Sequence, residues 1–393
     1  MARERDALIT GIGLVSCLGE GLNAHRERLG GFPPVVDETS FAPIPVHPII
    51  PLELDRQIPR RGDQRQMEPW QRIGTYAAGL ALDMAGMKGD PALLSRTHMI
   101  VAAGGGERDP AVDAALLSAL PTAVDPDALL NERLMTELRP TLFLAQLSNL
   151  LAGNISIVHG VVGSSRTFMG EEAAGADAVR IACARIAAGQ GDLFLVGGSN
   201  NAQRPEILLH YAMGRTLWQR PFEPVWARQA HHGGMVLGSL GCFLVIESRA
   251  HAEARGARAL ASIAAIGTDR SRRRTGEAAA NAMRQLEAMQ GLFDPTHAAV
   301  ISAASGASPA TTEERALLDN LGFPVRAVAT ALGHSLEPSF PAAIGLAAMS
   351  IADGRLFAPL EPAEATMPKP LRQALVTGWG HWRGEALALV TSA

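Results

Sequence analysis

The chain is 393 residues long, 47% hydrophobic and rich in glycine, with 40 Gly and a formal net charge of −4. That length buries a large core and would accommodate two or three ordinary domains. The slightly acidic balance argues against a nucleic-acid-binding protein. No stretch approaches the roughly 18 uninterrupted apolar residues of a membrane span. The three cysteines, Cys17, Cys183 and Cys242, are too far apart for a disulfide framework or a metal spacing. With no apolar signal region before the first strand-like run, the expectation is a cytoplasmic protein.

Strand-like and helix-like runs alternate along the chain, which predicts an α/β architecture. Ala7 to Val15 reads as a strand turning at glycines. Trp70 to Met87 reads as an amphipathic helix that buries Ile73, Ala77, Leu80 and Met84. Met99 to Gly104 is a short apolar run closing on three glycines, as a buried strand entering a tight loop would. Glu172 to Ala188 is a strong helix stopped at Gly189, followed by a strand at Leu193–Val196 and a Gly197-Gly198 turn. Gly241 to Glu247 reads as a strand and Ala250 to Gly256 as a helical connector.

The order then begins again. Leu260 to Ile266 is strand-like, Glu277 to Met289 helical, and Ala298 to Ser302 runs into Ala-Ala-Ser-Gly306 much as Met99 runs into Gly106. A helix near Thr312 to Leu321 and a strand at Gln373–Thr377 follow. This is a weak internal repeat. It divides the chain into residues 1–250 and 251–393, with Gly- and Pro-rich insertions near 29–51 and 104–140.

Several segments, in this order, resemble the elongating β-ketoacyl-acyl-carrier-protein synthases. Leu8 to Gly19 is similar to the opening strand and loop of that family, with Cys17 at a usual proline. Asn149 to Ile157 resembles the approach to the nucleophile. Gly233 to Gly238, Phe243 to Glu247 and His251 to Gly256 resemble the crossover between halves. The resemblance implies a thiolase fold, five-layered αβαβα with two similar halves, usually paired as a dimer.

It also implies where the catalytic groups should stand. Counting back from Gly189 and Gly197-Gly198, and forward from Gly163 and Ser165, places the nucleophile position at Glu172 rather than Glu171, with Gly175 as the glycine that follows it. A carboxylate suits a helix N-terminus but cannot carry an acyl chain as a usable thioester. The first catalytic histidine corresponds to Ala304, in Ile301 to Pro309. The second survives as His334, and the lysine position is Ala329. The gating loop reads Gly378, Trp379, Gly380, His381, bulkier than the family's Gly-Phe-Gly-Gly. Alanine can neither donate a hydrogen bond nor move a proton.

The resemblance therefore implies a synthase homologue that does not condense by itself, a chain-length-factor-like partner of a complete synthase that helps shape the tunnel for a long acyl chain. Arg61 to Met67 and Ser164 to Glu172 resemble most a subgroup that makes very-long-chain acyl groups for lipid A. The alternatives are a malonyl-carrier decarboxylase using His334, a 3-oxoacyl-carrier synthase with an atypical site, or a homodimer that binds acyl carrier without chemistry.

Acyl carrier protein is the expected partner, contacted through Arg61 and Arg65, alongside a homo- or heterodimer. No cofactor or metal is expected, and His231-His232 reads as a loop. A second basic cluster, Arg270 with Arg272 to Arg274, has only its charge to recommend it. Cys183 reads as a packing residue.

Overall fold

The computed structural model describes residues 3–29, 31–271 and 274–393; Arg272 and Arg273 of the second basic cluster lie outside them. Ten strands form the body of one mixed sheet: β1 (Ala7–Ser16), β2 (His98–Ala102), β3 (Ser165–Phe168), β4 (Leu193–Asn200), β5 (Leu240–Ser248), β6 (Ala261–Asp269), β7 (Ala298–Ser302), β8 (Val325–Ala327), β9 (Gln373–Trp379) and β10 (Glu385–Thr391). Their spatial order is β8-β7-β9-β10-β6-β1-β5-β4-β2-β3, with the short strand Gly19–Glu20 folded back on β1.

Read outward from the β6–β1 seam, the two halves have the same strand order. Each begins at its first strand, passes through its fifth, fourth and second, and ends on its third. The repeat suggested by Met99–Gly106 and Ala298–Gly306 is thus a repeat of topology. The proposed division at 250/251 falls inside the connecting helix Arg249–Ala254. Three strands escape the sequence reading. β3 and β8 are too short for a periodic signal. β10, Glu-Ala-Leu-Ala-Leu-Val-Thr, is buried almost throughout and carries little polar alternation.

Nine helices concern the layers and the site: α1 (Pro69–Met84), α2 (Pro110–Ala119), α3 (Pro126–Glu137), α4 (Leu150–His159), α5 (Glu172–Ala187), α6 (Pro205–Met213), α7 (Glu277–Met289), α8 (Ala310–Leu321) and α9 (Ser339–Ala352). α5 and α9 pack on each other between the two half-sheets, α1 and α4 cover the outer face of the first half, and α7 and α8 cover the second. This is the five-layered thiolase-type arrangement. The layer pattern follows from side chains. Every residue from Ser339 to Ile351 is buried, as a helix apolar on all sides must be. α1 is also buried over most of its length, Ile73 and Ala77 included, but Leu80 is half-buried and Met84, its last residue, is 44% exposed.

The region 104–140, which reads as irregular, contains α2 and α3. Each starts with an aspartate cap and a proline in the first turn: Asp109 accepts from Ala111 N and Val112 N, and Asp125 from Ala128 N. In the second basic cluster, Arg270 is ion-paired with Asp177 at 3.1 Å. No helix among the described residues is long and apolar enough to cross a membrane.

Glycine makes the α1–β1 contact. A Cβ on Gly13 would lie 1.8 Å from the Ala77 carbonyl oxygen, and one on Gly11 would lie 2.3 Å from that of Ala81. Backbone cannot yield as a flexible side chain would. Gly13→Ala should lower stability by about 2–3 kcal/mol through forced separation of helix and strand; urea unfolding of the variant against the parent measures it.

Candidate functional site

The helix α5 opens at the nucleophile position. Glu171 is its N-cap and Glu172 its first residue. Beside them lie the His334–Glu337 turn that leads into α9, and the loop that leaves β9. Gly175 permits this proximity, since a Cβ there would come within 2.0 Å of the Glu337 carbonyl oxygen.

The sequence places Glu172, His334 and His381 at one site, and the structure joins them by hydrogen bonds. His334 Nε2 lies 2.8 Å from Glu172 Oε1. The backbone N–H of His381 donates to the same oxygen at 3.1 Å, and His381 Nδ1 lies 3.1 Å from it. His334 is fully buried and Glu172 nearly so. Burial by itself would raise the Glu172 carboxyl. The hydrogen bonds from His334 and His381, and the positive charge those rings can carry, outweigh it and hold the group well below the usual carboxylate range. The α5 N-terminus adds to the same preference. The result is a buried carboxylate clamped between two imidazoles.

Glu171, which the sequence reading passes over, completes the closure. Its backbone has φ 56°, unusual for a residue with a side chain. Tyr211 Oη on α6 donates to its Oε1 at 2.7 Å, and Trp382 Nε1 donates to its Oε2 at 2.9 Å. The His381 ring stands edge-on to Tyr211, centroids 5.4 Å apart. The loop after β9 is thereby tied to both glutamates. A Cβ on Gly380 would meet the Arg383 carbonyl oxygen at 2.2 Å, so this turn needs glycine. No periodic or compositional signal marks Tyr211 or Trp382 in the sequence; the chain brings them in from 39 and 210 positions beyond Glu172.

The other inferred positions are packed away. Ala304, Ala329 and Trp379 all belong to the apolar cluster beneath the second half-sheet. Trp379 is 1% exposed and lies in that core, so the bulk at the gate comes from His381 and Trp382 instead. Near Ala329 remains only a void of about 10 Å³. Another of about 10 Å³ borders Glu172 itself. Neither has room for a thioester. Burial pushes the thiols of Cys17 and Cys183 up to about 12, and that of Cys242 higher still.

Glu171, Glu172 and His381 bring ligand atoms within 4.8 Å of one another. His334 and His381 already hold Glu172, and Tyr211 and Trp382 hold Glu171, so a cation would have to displace existing donors. His231 and His232 are exposed on a turn. Arg61 and Arg65 are exposed on the short helix Arg61–Gln66, bordering a surface depression with Arg56, Glu53 and Asp55.

Comparison with known proteins agrees with this architecture. Residues 52–252 match the family described as "Beta-ketoacyl synthase, N-terminal domain", and the chain belongs to the β-ketoacyl synthase family. It is 24% identical over 273 residues to 3-oxoacyl-[acyl-carrier-protein] synthase 2 of Vibrio cholerae, an alignment that covers 67% of this chain and 63% of that protein, less than two thirds of the relative's length. Among solved structures, the ishigamide ketosynthase/chain length factor superposes with a TM-score of 0.79 at 19% identity, covering 99% of both chains. A type II polyketide-synthase acyl-carrier protein in complex with its ketosynthase, bound to the hexaketide, gives a TM-score of 0.75 at 17% identity over 99% of this chain and all of that one.

Because the Glu172 carboxyl is depressed, its contribution to stability is present above the unfolded carboxylate value of about 4.3 and is lost as pH falls through the lower folded value. Glu172→Gln should cost about 1–3 kcal/mol at neutral pH by leaving a buried donor unmatched. The difference from the parent should vanish on strong acidification. Urea unfolding of both proteins across acid pH measures it.

Proposed function

We propose that this chain is a non-condensing, chain-length-factor-like subunit that pairs with a complete β-ketoacyl synthase and works with acyl carrier protein. The observation that carries the reading is the Glu172 clamp. Where a condensing enzyme needs a thiolate able to take an acyl group, a carboxylate sits hydrogen-bonded to His334 at 2.8 Å and to His381 at 3.1 Å. His334 Nε2 is occupied by that bond, which also weighs against a decarboxylase that would need it for a substrate carbonyl.

Support for pairing comes from the edge of the first half-sheet. β3 ends the sheet and leaves one edge of its backbone unpaired. Val162 and Met169, which flank the strand, and Ile157 on α4, which packs against it, are exposed. Apolar side chains beside an open sheet edge mark a face that another protein covers. A chain length factor is half of the ishigamide structure that this fold resembles. Arg61 and Arg65 are the proposed carrier contacts. Their exposure leaves them free to meet an acidic partner. The resemblance of Arg61–Met67 and Ser164–Glu172 to the lipid A subgroup makes very-long-chain acyl synthesis the proposed setting. The influence on chain length is then exerted across the paired face, because the cavity beside Glu171 carries charged groups unsuited to an aliphatic chain.

The test is mass spectrometry of carrier-bound products after incubating the pure protein with malonyl-carrier and a long acyl-carrier, with and without a cysteine-bearing synthase. The expected outcome is no product from the chain alone and longer products once the synthase is added. A β-ketoacyl-carrier formed by the chain alone, absent from a contaminant control, would overturn the reading, and acetyl-carrier alone would establish a decarboxylase. Replacing Ile157 and Val162 by aspartate should abolish co-purification with the synthase, checked by size-exclusion chromatography.

A further inference from the structure

A cavity of about 340 Å³ opens next to Glu171, walled by Gly104, Gly105, Trp70, Tyr211 and Leu336. Two ionisable groups on its wall are only partly matched. Arg204, just before α6, is 9% exposed. Its Nε and Nη1 are sealed from solvent without a hydrogen-bond partner among the described residues. The nearest carboxylate oxygen, Glu206 Oε1, stays 3.6 Å from Nε, too far for a hydrogen bond. Glu337 is 3% exposed. Its Oε1 faces the glycine wall, where a Cβ on Gly104 would stand 2.8 Å away. Among the described residues it forms no ion pair, and it feels the charge of Arg204 without reaching it.

A buried guanidinium and a buried carboxyl left apart on one cavity are costly, since Arg204 recovers only the 3.6 Å ion pair with Glu206 and Glu337 only a backbone hydrogen bond, and burial pushes the Glu337 carboxyl up to about 7. The cost is recovered when a ligand with complementary ends spans them. A lone anion on Arg204 would also meet Glu171, Glu206 and Glu337, all on the same wall, and a lone cation would meet Arg204. An alkyl chain would strip both groups and match neither.

We propose that this cavity binds a small zwitterion, its carboxylate on Arg204 and its ammonium on Glu337. The cavity shares Met169 with the pairing face and Glu171 with the gate, but the inference does not rest on the partner reading.

Isothermal titration calorimetry on the purified chain tests it with ω-amino acids of graded length, from aminobutanoate to aminooctanoate. Each is compared with the alkylamine and the alkyl carboxylate of equal length. One length is expected to bind at least about tenfold more tightly than both one-ended controls, because a site built for two polar ends penalises a ligand that lacks one. Arg204→Met and Glu337→Gln should each erase that preference. Should R204M not fold, the near-isosteric E337Q carries the comparison. Absence of binding by every ω-amino acid, tighter binding of the alkyl carboxylate, or a preference that survives in the folded variants would overturn the proposal.

Discussion

The contact between α5 and α9 is the constraint on which the rest of the molecule hangs. Both helices lie between two half-sheets, and they meet through small residues: Ala174, Gly175, Ala176 and Ala178 on one, Ala342, Ala343, Ala347 and Ala348 on the other. Small side chains let the backbones approach closely enough that the Glu337 carbonyl presses on Gly175. Interiors are packed too densely for such a contact to slide. The N-terminus of α5 is therefore held against the turn that carries His334. Whatever residue opens α5 must come to terms with that histidine.

In this chain the residue is a glutamate, and the electrostatics settle in its favour. A carboxylate buried alone would be expelled or protonated. Here two imidazoles, a backbone N–H and a helix N-terminus converge on it. The site is stable because it is closed: groups that would poise a nucleophile hold an anion in place. Ala304, Ala329 and Trp379 extend the same logic, turning positions of inferred chemical use into apolar core.

The polar cavity beside Glu171 stands in contrast to this closure. Glu172 is held by two imidazoles and a backbone N–H, whereas Arg204, just before α6, keeps Nε and Nη1 without an acceptor among the described residues. Glu171 looks into the cavity while Tyr211 and Trp382 tie it to the loop after β9, so the cavity and the gate share a wall. The open edge at β3 is a third environment, apolar and uncovered, on strands of the same half.

The amino-acid sequence by itself determined the α/β layering, the two similar halves, the family, and the carboxylate at the head of α5. Those features are written in periodicity, in helix stops such as Gly189, and in spacings counted between glycines, all of which are local. His334 and His381 could be assigned to the site by resemblance, because their neighbours carry recognisable patterns. Only the tertiary structure decided that both rings close on Glu172, that Trp379 turns into the core, and that Tyr211 and Trp382 grip Glu171. It also decided that Arg204 and Glu337 remain apart. The physical reason is the same in each case: these pairings join residues up to 210 positions apart, from Glu172 to Trp382, through the stacking of two half-sheets on a shared helical layer. Nothing in a local pattern records which side chains such stacking will bring within 3 Å, or which it will leave unmatched.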